Sequence, residues 1–289
     1  MPLLRSLRIK NKTIDMQKLI IALDGQHFPK GAFGFVKNIN LKTKVLLAGV
    51  FLTPVDYSKL IAYTGMEGIA MIPEWLVKNE DDVLVNKNIN AFKEACIAEG
   101  IDFRIHNDTD LMAISSLIEE TRFADALLIS SDLFYTNIAK NQPNFYLEEV
   151  LKRAECPVML VPEKYEEPDQ VVLGYDGNES SVFAIKQFAY VFPQLAKKET
   201  ILLCITQHED ELPEYSLVSE LVSSHYPNLK IQTLHLKHTK DFIEWMGDKP
   251  NSFIVMGAFS RSIFSQLFKK SFAADVIHDI KMPLFISHK

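Results

Sequence analysis

The stretches KLIIALDG, Lys18 to Gly25, and QVVLGYDG, Gln170 to Gly177, read as one element written twice. Each is an apolar run delivered onto an Asp-Gly turn that opens a helix. A strand ending on such a turn faces ligand in open α/β sheets. The other ends of the two copies agree as well: ADALLISSDL leads to ECPVMLVPE around Cys156, and NSFIVMGAFS leads to KMPLFISHK at the C-terminus. The chain therefore reads as a tandem duplication, with any site present twice, once, or in decayed form.

Bulk properties narrow the function classes. A chain of 289 residues, 47% of them apolar, fills two ordinary domains without disulfides. The formal net charge of −6, with Lys and Arg scattered, gives no footprint for nucleic acid. The longest apolar runs, such as Val45 to Leu52, are strand-sized, well short of the roughly 20 residues a membrane helix needs. Three cysteines, Cys96, Cys156 and Cys204, read as buried small hydrophobes in a reducing compartment, so a soluble cytoplasmic protein is expected. Residues 1–15, MPLLRSLRIKNKTID, carry four basic groups but no continuous apolar core of an export signal. They read as an N-terminal extension, a disordered arm or an over-extended start, before a domain that begins at Met16.

From Lys18 onward apolar strands alternate with amphipathic helices, the pattern of parallel βαβ units. Strands are expected in the first copy at Leu19 to Leu23, Val45 to Phe51, Asp102 to His106, Ala126 to Ser130 and Val158 to Val161. The second copy repeats them at Val171 to Tyr175, Thr200 to Thr206, Lys230 to Leu236, Phe253 to Gly257 and Leu284 to Ser287. A helix from Asn86 to Gly100 places Ile89, Phe92, Cys96 and Ile97 on one face and stops on Gly100. Another runs from about Asp110 to Arg122, capped by Thr109 or Asp108. PEKYEEPDQ, Pro162 to Gln170, with two prolines and four acidic residues, is a natural linker between domains at 16–165 and 166–289. The first copy is the longer, and its excess lies around Thr53 to Val85, a Tyr-, Met- and Gly-rich insertion that reads as a surface connection over the sheet's carboxyl edge.

A five-stranded unit that starts on an apolar strand and Asp-Gly, and ends on a short apolar strand after Cys-Pro or Met-Pro, resembles the universal stress protein family. The resemblance covers both copies and is strongest in SFIVMGAFSRSIFSQLFKKSFAADVIHDIKMPLFIS. It implies two tandem doubly wound domains, each a mainly parallel five-stranded sheet of order 3-2-1-4-5 with helices on both faces. It also implies that the halves dock as an internal pseudo-dimer through Val158 to Val161 and Leu284 to Ser287. In nucleotide-binding members the loop after the fourth strand holds phosphates with three glycines and a hydroxyl, because glycine lets the backbone approach oxygen closely and a helix start offers N–H groups. Here Gly257 fills the first position, Ser260 and Lys270 replace the other glycines, and Ser271 keeps the hydroxyl. The resemblance makes Arg261 a candidate anion contact in the same loop, matches Asp176 with Gly177 to the adenosine-facing turn, and puts Ile205 where such members place an apolar residue beside the adenine. In the first copy, aligning Pro157 with Pro283 puts Ser131, Phe134, Asn144 and Phe145 at those places, and Asp24 alone remains, as a turn and cap residue.

No motif for a nucleophile, a metal cluster or a Walker loop occurs; GxSxG, GxxxxGK[ST], CxxC and HExxH are all absent. His235 and His238, three apart on a strand, point to opposite faces, and His27, His225 and His278 carry no partner signal. Asn178, Ser180 or Ser181 reads as a helix cap. The leading reading is a non-catalytic cytoplasmic stress-response protein acting by binding a protein partner or small ligand, with no cofactor committed. The alternative is an ATP-binding member that uses Asp176, Gly177, Ile205, Gly257, Ser260, Arg261 and Ser271 of the second domain, with slow hydrolysis at most. A third is an enzyme that activates a substrate with ATP. No nucleic acid, membrane or metal partner is expected, and a homodimer is left open.

Overall fold

The computed structural model describes residues 16–23, 27–52, 82–108, 113–131, 150–206, 214–235, 244–257 and 282–287. The elements run β1 (Met16–Leu23), α1 (Lys30–Asn40), β2 (Lys44–Leu52), α2 (Asp82–Ala98), β3 (Asp102–Asp108), α3 (Ala113–Thr121), β4 (Ala126–Ser130) and β5 (Val158–Val161) in the first half. The second half holds β6 (Gln170–Tyr175), α4 (Glu179–Val191), α5 (Pro193–Ala196), β7 (Glu199–Thr206), α6 (Tyr215–His225), β8 (Leu229–His235), β9 (Ser252–Gly257) and β10 (Leu284–Ser287). All ten expected strands form, each within one residue or a few of its expected ends.

These strands make one sheet of order β3-β2-β1-β4-β5-β10-β9-β6-β7-β8. Within each half the order is 3-2-1-4-5 and the pairing parallel, as the doubly wound reading requires. The joint is antiparallel: Leu284 stands opposite Leu160, Phe285 opposite Met159 and Ile286 opposite Val158. The expected docking through Val158–Val161 and Leu284–Ser287 thus forms, and it joins the two five-stranded halves into one sheet. Taken alone, an undivided sheet would speak against duplication; its order does not, because each side of the joint repeats the same winding.

Strands of a parallel sheet are buried on both faces and read as continuous apolar runs, which LIIAL of β1 and VVLGY of β6 illustrate. Alternation then divides each strand between two cores. Leu19, Ile21 and Leu23 join α1, α2, α4, α5 and α6 on one face. Ile20 and Ala22 join Leu117 of α3, Val150, Leu151 and Met246 on the other. In α2, Ile89, Phe92 and Cys96 face the core as expected, but Ile97 does not, being 71% exposed. It lies one helical step, about 100°, off the row of Cys96. Gly100, with φ of +61, turns the chain back so that the Ile101 N–H reaches the Cys96 carbonyl at 2.9 Å, and Ile101 is buried instead. The helix starts at Asp82, four residues before the expected Asn86. The N-terminal extension, most of the Thr53 to Val85 insertion, and Thr109 and Asp110 of the expected helix start lie outside the described residues, while Asp108, the other cap candidate, is the last residue of β3.

The joint carries an aromatic cluster drawn from both halves. Phe35 of α1, fully buried, packs edge-on against Tyr165 of the linker at 5.6 Å and Phe192 at 5.3 Å, and tilted against Phe253 of β9 at 6.2 Å. Phe188 of α4 adds Phe253 at 5.0 Å and Phe285 of β10 at 5.3 Å. At the rim the Glu167 carboxylate lies 2.7 Å from Lys42 Nζ and 3.1 Å from Lys198 Nζ, and these ammonium groups, Lys42 first, hold its pKa below the ordinary 4.5. The pair is half-exposed and screened, so it orients the linker more than it stabilises the fold. Truncating Phe35 to Ala should cost about 3–5 kcal/mol. Because that ring touches both halves, urea unfolding followed by fluorescence and by circular dichroism should stay a single coincident transition at lower midpoint; loss of one half alone would contradict the packing.

Candidate functional site

In a doubly wound sheet the ligand crevice opens at the carboxyl ends of the strands where the order reverses. Here that point falls between β1 and β4 in the first half and between β6 and β9 in the second. Because the joint is antiparallel, the two crevices open on opposite edges of the sheet.

At the second crevice β6 ends on Tyr175, which is fully buried, and passes through Asp176 and Gly177 to Asn178, the N-terminal flank of α4. Gly177 has φ of +79, a left-handed value that suits glycine. The Asp176 carboxylate accepts the Asn178 backbone N–H at 3.1 Å and its Nδ2 amide at 2.8 Å, closing the turn on itself. The expected capping is corrected: Asn178 makes no side-chain cap, and the Ser181 hydroxyl donates to the Asn178 carbonyl at 2.8 Å. The DGN triplet carries the signal that could have found Asn178, since Asp readily bonds the backbone two residues on.

Gly257, the last residue of β9, meets the first turn of α4 directly. A Cβ there would stand 2.5 Å from the Ser180 carbonyl carbon and 2.6 Å from the Ser181 nitrogen, so only glycine lets the first turn of α4 lie on the strand end. Asp176, Gly177 and Gly257 are thus brought together by adjacent strands. Ile205 stands in β7 one residue past Cys204, which pairs with Tyr175. Ser260, Arg261, Lys270 and Ser271 lie outside the described residues, as do Asp24, Phe134, Asn144, Phe145, His238 and His278.

The described rim is acidic. Burial pushes the Tyr175 hydroxyl up, with Glu214 and Asp176 adding to it, and burial beside Asp176 pushes the Cys204 thiol up to about 11. Burial likewise raises Cys96 and Cys156 to about 12, so these thiols stay protonated and inert at neutral pH. A carboxylate at this rim suits hydroxyl or amine donors and repels phosphate. Among the described residues there is no grouping of three His, Cys, Asp or Glu that could hold a metal, and no helix long and apolar enough to cross a membrane.

Sheet register corrects the first-half alignment. Leu19 pairs with Ala126 as Val171 pairs with Phe253, so the counterpart of Gly257 is Ser130, not Ser131. The carbonyls of Pro157 and Pro283 accept from Leu127 and Ile254, which fixes both strand ends and leaves the first copy one residue longer in between. An alignment by prolines absorbs that residue on the wrong side.

No family model matches the chain, and no curated protein does. Among solved structures it is similar to a universal stress protein from Archaeoglobus fulgidus, with a TM-score of 0.63 at 12% identity over 94% of this chain and 96% of that one. It is also similar to the cytoplasmic domain of a prokaryotic cation chloride cotransporter, with a TM-score of 0.50 at 11% identity over 94% and 95%. The fold is that of the universal stress proteins. Replacing Gly257 by Ala forces a methyl into the α4 backbone and should lower stability by about 1–3 kcal/mol in urea titration; an unchanged midpoint would show that the helix start does not rest on the strand.

Proposed function

We propose that this chain is a non-catalytic cytoplasmic stress-response protein of the universal stress protein type, which acts by occupancy of its second crevice and not by turnover. The observation that supports this is the convergence of the Asp176-Gly177 turn and Gly257 at the point where the strand order reverses. That place takes ligands in open α/β sheets. The surroundings supply an acceptor carboxylate and a helix start, but among the described residues no nucleophile with its base. The occupant is a small ligand or a segment of a protein partner.

A second reading, favoured by the carboxylate at the strand end, places ATP there. Asp176 would accept from ribose hydroxyls, Ile205 would sit beside the base, and Gly257, Ser260, Arg261 and Ser271 would take the phosphates. Native mass spectrometry of the chain purified without added nucleotide separates the readings. The first predicts a co-purifying ligand or partner mass and no shift at millimolar ATP. The second predicts one ATP per chain, weakened at least tenfold by Arg261→Ala. Phosphate release from ATP would contradict the first reading, and release at the turnover rate of a dedicated enzyme would contradict both.

A further inference from the structure

We infer that Glu163, the first acidic residue of the linker, is a built-in occupant of the first crevice, filling from within the anion position that the fold offers there. In the second half, Gly257 lets the helix start rest on the strand. In the first half the same register position is Ser130, on the Ala126 and Leu128 side of β4 that faces α1. The helix start also falls later in the chain there: α1 begins at Lys30, six residues past Asp24, whereas α4 begins at Glu179, three past Asp176.

The Glu163 carboxylate joins the strand end to the helix start. Its Oε1 accepts the Ser130 hydroxyl at 2.9 Å, and its Oε2 accepts the Lys30 backbone N–H in the first turn of α1 at 3.2 Å. Pro29 precedes that turn and makes no side-chain cap, so the carboxylate caps the helix from 133 residues away. A helix start favours negative charge, which makes this an anion position that is already taken. The linker backbone seals it: a Cβ on Gly31 would fall 1.8 Å from the Pro162 carbonyl oxygen and 3.0 Å from Glu163 Cα, so only glycine admits that approach.

An external anion must therefore displace an intramolecular carboxylate whose effective concentration is in the millimolar range or above. Glu163 is also tied to the joint, four residues before Glu167, which lies between Lys42 and Lys198. The first half is thereby closed to anionic ligands by its own linker, whatever occupies the second crevice.

Chemical rescue tests this without reference to the second site. In chloride buffer, Glu163→Ala should melt roughly 2–4 °C below the natural chain. Sodium acetate or sodium phosphate should restore most of that loss in the variant, while shifting the natural chain no more than sodium chloride of equal ionic strength. Glu163→Gln, which keeps an acceptor but no charge, should fall between. A variant that melts with the natural chain, or anions that shift both proteins equally, would overturn the inference. Should Glu163→Ala not fold, amide exchange decides in Ser130→Ala. The Lys30 amide should exchange several-fold faster there than in the natural chain, and an unchanged rate would equally overturn the inference.

Discussion

Val158–Val161 and Leu284–Ser287 are four residues each and buried at every position, yet each would be an edge strand if its half stood alone. An apolar edge of that kind exposes unpaired N–H and C=O groups beside hydrophobic side chains and pairs with whatever strand it meets. In this chain each meets the other. The antiparallel match is short, so the rings on one face reinforce it: Phe285 of β10 packs on Phe188 and Phe192, and Phe35 from the first half reaches Phe192 and Phe253. Everything else about the molecule's layout follows. The strands of the two halves run in opposite directions, their helices share common faces, and the crevices lie on opposite edges.

The crevices then diverge through a single position. Gly257 gives the second half a helix start in backbone contact with the strand, leaving Asp176 and the DGN turn at the mouth. In the first half Ser130 stands at that place, and Glu163 of the linker joins it to the start of α1. One crevice presents a turn to the outside, and the other holds a carboxylate of its own chain. The asymmetry is also visible in the sequence, where Gly257 of the second copy has Ser130 as its counterpart in the first.

Most of the fold was legible because parallel strands buried on both faces leave unbroken apolar runs, and because the runs occur twice in the same order. The edge pairing was legible only through the family resemblance, since nothing in VMLV or LFIS names its partner. What escaped was whatever depends on a single residue of phase. Ile97 looked like core, but it stands one helical step off the row of Cys96, which is buried at the same helix end. Ser131 was chosen over Ser130 because proline alignment hides a one-residue difference that only hydrogen-bond register reveals. Asn178, Ser180 or Ser181 was read as a cap acceptor, whereas Asn178 makes no side-chain cap and the Ser181 hydroxyl donates to the Asn178 carbonyl. Glu163 carried no signal beyond being an acid in an acidic linker, as its two partners lie 33 and 133 residues away.

Native-state hydrogen exchange across the β5/β10 joint measures the central claim most directly. If the sheet is one cooperative unit held at that pair, the protected amides of β5 and β10 exchange only through global unfolding, with the same free energy and denaturant dependence as those of β1 and β6. Exchange of β5 and β10 through a lower-energy opening, with β1 and β6 still protected, would mean that the halves are separate bodies merely in contact.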